Sequence, residues 1–349
     1  MRKSPVSLGN RRWQSGVTLV ELMVSVAIGL VIALAVTVAY VAVRGTSTAT
    51  DATSRINEDG KLALDMLTRE IQMAGFYPAG IPASATPNLR GVYTNIKSGT
   101  TMPYNQGVFG CSSAKFSPAT GACGSADPND SIVLNYFSSA SVTDVGTTNI
   151  SVSHDCLNGD LNNDPVNAAL AIGQPRFVSN RFAINATTYD MASSGSVGGG
   201  LVKTINTGSL SCNGNGKKSE DDTYQPIFEG VAQMVIRYAV NGSGASAGAS
   251  ASGSSETPER FYTADEVSAL LTVGGLNGWQ RVAAVRVCLL MQSLTGGRND
   301  SGRDESASGK PRTYVDCKGK TVTQPMADRN IYKTFTRLVA VRNQLTGVQ

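Results

Sequence analysis

Six cysteines, at positions 111, 123, 156, 212, 288 and 317, carry most of the reactive chemistry this chain offers. None stands in a Cys-x-x-Cys pair, so the spacing gives neither a zinc site nor a redox dithiol. An even number in an oxidising compartment predicts three disulfides. Fifteen pairings are open. The sequential set is the expectation: Cys111–Cys123 closes a short loop, while Cys156–Cys212 and Cys288–Cys317 pin longer excursions. His154 is the only histidine, which leaves a histidine metal centre or a Ser/His/Asp triad without its partners. Asp160-x-Asn162-x-Asp164 begins like a calcium loop, but Pro165 stands where the turn glycine belongs and Ala171 where the bidentate glutamate belongs. The three residues are a weak metal candidate, and a polar turn is the expectation. Gly198-Gly199-Gly200 lacks the following Lys-Ser/Thr of a phosphate loop. No nucleophile, base and oxyanion donors converge, so the reading is a non-enzyme without a cofactor.

One acid stands in an unusual place. Val17 to Val43 is an apolar run of 27 residues whose single charge is Glu21. As a helix it spans about 40 Å, more than the ~30 Å hydrocarbon core. Arg2, Lys3, Arg11 and Arg12 precede it with no acid among them, which keeps the N-terminus cytoplasmic and sends everything after Arg44 across the membrane. A secretory signal has an apolar core of only about 7–15 residues. A plain single-pass anchor fits the length and orientation but not Glu21, because an unpaired carboxylate in a bilayer costs roughly 2.5–3.5 kcal/mol or more. Glu21 needs a cationic partner.

Gly16-Val17-Thr18-Leu19-Val20-Glu21-Leu22-Met23-Val24 resembles the prepilin motif of type IV pilins and type II secretion pseudopilins. The resemblance implies that a membrane-bound prepilin peptidase cuts between Gly16 and Val17, and that the new amine is methylated. It also implies that Glu21 pairs with the N-terminal ammonium of a neighbouring subunit during assembly. Val17 departs from the family, which usually has Phe there, and this bears on methylation.

From Arg44 to about Phe76 the pattern turns amphipathic. Ile56, Leu64, Leu67, Ile71 and Ala74 form a stripe at helical spacing with charges around it. Asp51 and Asp65 each have an arginine four residues on, Arg55 and Arg69, as intrahelical support. Gly60 is the weak point, at about 1 kcal/mol relative to Ala. Gly75 and Pro78 bracket the end. The run from Arg55 to Phe76, closing on Arg69-Glu70-Ile71 and Ala74-Gly75-Phe76, resembles the helix end of PilW-type minor pilins.

The remainder alternates with period two at 131–138, 230–240, 281–291 and 334–342, in β-branched and aromatic residues. Thr263 and Glu266 form a capping box opening a short helix to about Leu271. The fold class is α+β: a long N-terminal helix, half transmembrane and half amphipathic, packed on an antiparallel sheet body. Asp155-Cys156-Leu157, Ile227-Phe228-Glu229-Gly230-Val231, Trp279-Gln280-Arg281 with the strand after it, and Val339-Ala340-Val341-Arg342-Asn343 resemble further PilW-type landmarks in order. The expected divisions are leader 1–16, transmembrane helix 17–43, amphipathic helix 44–76 and periplasmic β-rich domain 77–349. Residues 241–255 (NGSGASAGASASGSS) form a flexible loop in that domain.

Beyond the first 16 residues the charges balance at 26 basic and 26 acidic, so no global field holds nucleic acid. Residues 298–342 carry ten basic residues mixed with five acidic ones and no aromatic interleaving, a solvated face rather than a DNA site. The resemblance implies a minor pilin that primes pilus assembly with other minor pilins and sits at the tip. It also implies as partners the prepilin peptidase, the major pilin, the inner-membrane assembly platform and a large tip adhesin. A type II secretion minor pseudopilin, and an adhesive or DNA-binding pilin, are the alternatives.

Overall fold

No proline interrupts the chain between Val17 and Tyr77, and one helix, α1, occupies Leu19–Met73. The computed structural model describes Gly16 and residues 18–76, 93–94, 101–102, 106–141, 143–145, 148–150, 154–161, 167, 175–192, 202–216, 223–242, 258, 260–273, 276–294, 312–325, 328 and 330–343. The chain forms two compact units, Met1–Thr50 and Asp51–Gln349.

In the first unit α1 is exposed at every residue from Leu19 to Tyr40, a stretch long and apolar enough to cross a membrane. Its hydroxyls are satisfied within the helix: Ser25 donates to the Glu21 carbonyl at 2.6 Å and Thr37 to the Ala33 carbonyl at 2.7 Å. No side-chain donor is thereby left bare for hydrocarbon at those two positions.

In the second unit the Asp51–Met73 half of α1 buries Ile56, Ala63, Leu64, Leu67 and Ile71, with Ala74 just beyond its end. The described strands are β1 (Tyr93–Thr94), β2 (Thr101–Met102), β3 (Val108–Cys111), β4 (Ala114–Ser117), β5 (Ala122–Ala126), β6 (Ser131–Ser141), β7 (Thr143–Val145), β8 (Thr148–Ile150), β9 (Pro175–Ala192), β10 (Val202–Gly214), β11 (Gln225–Glu229), β12 (Val231–Val240), β13 (Phe261–Tyr262), β14 (Val282–Gln292), β15 (Thr313–Val315), β16 (Thr321–Thr323) and β17 (Tyr332–Ala340). A five-stranded sheet runs β11-β10-β9-β6-β3 and a four-stranded one β13-β12-β14-β17, antiparallel throughout. The helix stripe shares one core with Ile132, Leu134, Phe182 and Leu210 of the first sheet and Met234, Ile236, Val287 and Leu289 of the second.

Gly230 turns the chain from one sheet to the other. It adopts φ +76°, and its carbonyl accepts from the Gln292 amide at 2.7 Å. Only glycine takes that conformation without strain. Asn129 and Asp130, at the start of β6, tie the first sheet to β12. Asp130 Oδ2 accepts from the Ile236 amide (2.8 Å) and Arg237 Nη1 (3.2 Å), and Asn129 Oδ1 accepts from the Met234 amide (3.0 Å).

Three local readings are corrected. The helix stops at Met73 rather than Phe76, because Gly75 turns left-handed (φ +78°) and residues 75 and 76 bond to β6. The Gly75 amide donates to the Asn135 carbonyl (2.8 Å) and the Phe137 amide to the Phe76 carbonyl (2.9 Å). Asp65 reaches out of the helix to pair with Arg337 of β17 instead of Arg69. The helix opened by Thr263, α2, spans only Ala264–Ser268; its capping box is present, with the Glu266 carboxylate accepting from the Thr263 amide at 2.8 Å. Of the expected flexible loop, 243–255 lies outside the described residues.

Candidate functional site

Thr18 begins α1. Its carbonyl accepts from the Leu22 amide (3.1 Å) and its hydroxyl from the Glu21 amide (3.3 Å), the geometry of an N-cap. Glu21 therefore stands in the first turn, at the positive end of the helix dipole, which favours a carboxylate. It is exposed, and among the described residues no cation pairs with it. Gly16 is exposed, and a Cβ there would meet nothing within 4 Å. Val17 lies outside the described residues.

A second acid from the quoted helix signature lies inside. Glu70 is half-buried between α1 and the first sheet, where it accepts from Asn180 Nδ2 (2.8 Å) and the Tyr136 hydroxyl (3.3 Å). Burial raises its pKa from 4.5, against the two hydrogen bonds that favour the ionised form, while nearby Asp155 adds to the rise. The same burial, with Glu70 beside it, raises the Tyr136 phenol. The signature's acid is thus a joint between helix and sheet.

The structure bonds Cys111 to Cys123, Cys156 to Cys212 and Cys288 to Cys317. Around Cys156 the loop is locked by Asp155, whose carboxylate accepts from the amides of Leu157 (2.9 Å), Gly159 (2.7 Å) and Gly216 (2.8 Å). A Cβ on Gly214 would lie 2.0 Å from that carboxylate. Asp155 is therefore spent on the backbone. Asp160, of the calcium-loop reading, pairs as an isolated bridge with His154, and Asn162 and Asp164 lie outside the described residues. Among the described residues no group of three metal-binding side chains occurs.

Arg281 of the Trp-Gln-Arg landmark is a clamp that sequence reasoning did not identify. Its guanidinium donates to the carbonyls of Asn241 (3.0 Å), Gly242 (2.9 Å) and Leu271 (2.8 Å), holding the base of one loop and the end of another. Trp279 beside it is buried against Tyr238 and Phe109, with ring centroids 4.9 and 5.0 Å away.

Residues 193–343 match the family model described as type IV pilus-assembly protein W, and residues 14–37 match that of the prokaryotic N-terminal methylation motif. The two matches, one over the body and one over the N-terminal segment, support a PilW-type pilin. The pilin model covers β10 to β17, which includes the Gly230 crossing, the Arg281 clamp and the whole second sheet. The methylation-motif match covers Gly16, Thr18 and Glu21. Among solved structures a type IV-like pilin from Thermus thermophilus is similar at 11% identity, over 83% of this chain and 98% of that one, with a TM-score of 0.34. The comparison with curated proteins gives no match. The apolar half of α1, long and apolar enough to cross a membrane, coincides with the methylation-motif match.

Proposed function

We propose that the chain is a minor pilin which, with other minor pilins, primes growth of a type IV pilus and stays at its tip. Prepilin peptidase removes residues 1–16, and the mature chain waits in the inner membrane with residues 77–349 in the periplasm. The observation that carries this reading is Glu21. It is a carboxylate in the first turn of α1, whose apolar half is exposed from Leu19 to Tyr40, with no cation against it among the described residues. In hydrocarbon an ammonium and a carboxylate offset each other's desolvation when paired. The cut after Gly16 creates an ammonium four residues from Glu21, so each subunit carries both halves of an intersubunit pair. The match of 193–343 to a pilus-assembly model supports a pilus over a secretion system. The partners are then the peptidase, the major and minor pilins, the assembly platform and a large tip adhesin. The work is done by packing, with no catalytic step.

Glu21→Gln tests this. The variant should insert and be processed as before, yet fall by roughly tenfold or more in sheared filaments, as loss of one buried ion pair implies. Wild-type incorporation would contradict the pairing role.

A further inference from the structure

Each of the two large sheets ends in two edge strands, and three of the four are blunted. β13 is two residues long, with Arg260 beside it. β11 carries Pro226, and the ladder to it shifts register at Leu210/Ser211. β3 is four residues long and ends in the Cys111–Cys123 disulfide. Short length, proline, bulges and charge are the usual guards of a sheet edge.

β17 lacks the first three, and its charges turn toward α1. It runs nine residues, contains no proline, and pairs with β14 from Ala284↔Ala340 to Gln292↔Tyr332 without a register shift. The Val341 amide bonds to the Ala283 carbonyl, so odd-numbered residues direct their backbone at β14. Thr334, Thr336, Leu338 and Ala340 then direct their amides and carbonyls at the free edge. All four residues are exposed, and Leu338 is 58% accessible. The charges of this strand are used elsewhere: Lys333 donates to Asn57 and Arg337 pairs with Asp65, both on α1. The free edge is thus uncharged at its centre, with Lys333 near one end and exposed Arg342 just past the other.

We propose that an extended strand of a different polypeptide completes this edge by backbone pairing with β17, uncharged at its centre and acidic at its flanks. A second copy of the chain is the wrong occupant. Two-fold pairing of β17 with itself turns the Asp51–Met73 halves of α1 head to tail, because Asn57, Asp65 and Gln72 meet Lys333, Arg337 and Asn343 in the same order along the helix. Among the described strands of the two large sheets, the blunted edges offer a second copy no other strand to lend. Reading the chain as a pilin enters only in naming the donor a fellow subunit of the assembly.

The test is a photocrosslinking amino acid at position 338 of the full-length chain in its own cells, with position 315 as an exposed control off the edge (Val315, 53% accessible). Thr336→Pro removes an amide that faces away from β14 and has no partner among the described residues, a change edge strands tolerate. Leu338 is occupied by the probe, so Thr336→Lys is the second variant, a charge of the kind that guards edges. The expected result is a crosslink from position 338 to a different chain, mapped by mass spectrometry to an extended segment. Both variants should cut it about tenfold, the effect of 1.4 kcal/mol, with thermal melting unchanged. Crosslinking only to another copy of itself, no crosslink, or a crosslink indifferent to both variants overturns the proposal. The sheared-surface fraction is scored separately, so failure to enter filaments and failure of the edge are told apart.

Discussion

Glu70 and Glu21 are both acids in apolar surroundings on one helix, and their partners separate their roles. Glu70 has Asn180 and Tyr136 within the chain; Glu21 has no cation within it among the described residues. Because burial holds the folded pKa of Glu70 above its ordinary 4.5, the native state keeps a proton that the unfolded chain has released. Its contribution is therefore most favourable below about pH 4.5 and is lost as pH rises through the folded value. Glu70→Gln keeps an acceptor for Asn180 and Tyr136 and removes the charge. It should raise the melting temperature at pH 7 and leave it nearly unchanged at pH 4, read by thermal melts of the detergent-solubilised chain. A larger loss at pH 7 than at pH 4 would contradict the assignment. Glu70→Ala leaves the Tyr136 hydroxyl without this acceptor and Asn180 Nδ2 with only the Tyr136 oxygen at 3.4 Å, and should cost about 1–3 kcal/mol. The sequence pattern put Glu70 among the charges flanking the stripe, because periodicity cannot distinguish a solvated acid from one that a sheet folds over.

Gly60 marks where helical periodicity alone misjudges a position. By propensity it costs about 1 kcal/mol relative to Ala. In the structure it is buried, and a Cβ there would lie 2.7 Å from the Phe335 ring of β17. Gly60→Ala should therefore destabilise by about 1–3 kcal/mol in denaturant titrations in spite of its better propensity. Phe335→Leu in the same chain should recover part of the loss, and a stabilised Gly60→Ala would show the contact to be unimportant. β6, β12, β14 and β17 were legible because their alternation is strong and one face is buried. β9 and β10 were not: Ser179, Arg181, Ser209, Ser211 and Asn213 are buried polar residues on these strands. Ser209 and Ser211 bond to each other, and Arg181 bonds to Asn213. A face that is polar yet buried carries no hydrophobic period for a sequence reading to find. Thr263 and Glu266, by contrast, were readable because a capping box is a local pattern with a local cause.

The body is held by ties between elements distant in sequence. Asp130 joins the two sheets, Arg337 joins β17 to α1, and each disulfide closes a loop of 12 to 56 residues. Replacing Cys156 and Cys212 together by Ser should cost about 2–5 kcal/mol. It should also raise protease cleavage near residues 155–159, since the bridge and the Asp155 carboxylate hold the same loop; unchanged digestion would show that Asp155 suffices alone. The N-terminal motif and the helix were legible because anchoring and processing are local properties of one segment. The β17 edge was not, because an edge exists only once the order of strands is known. Cleavage after Gly16 and assembly into a filament through the remaining helix are tested most directly by the intact mass and N-terminal peptide of the chain from membrane and sheared-surface fractions. A chain beginning at Val17 is expected in both fractions. A chain beginning at Met1, or cut beyond Val43, would contradict that expectation.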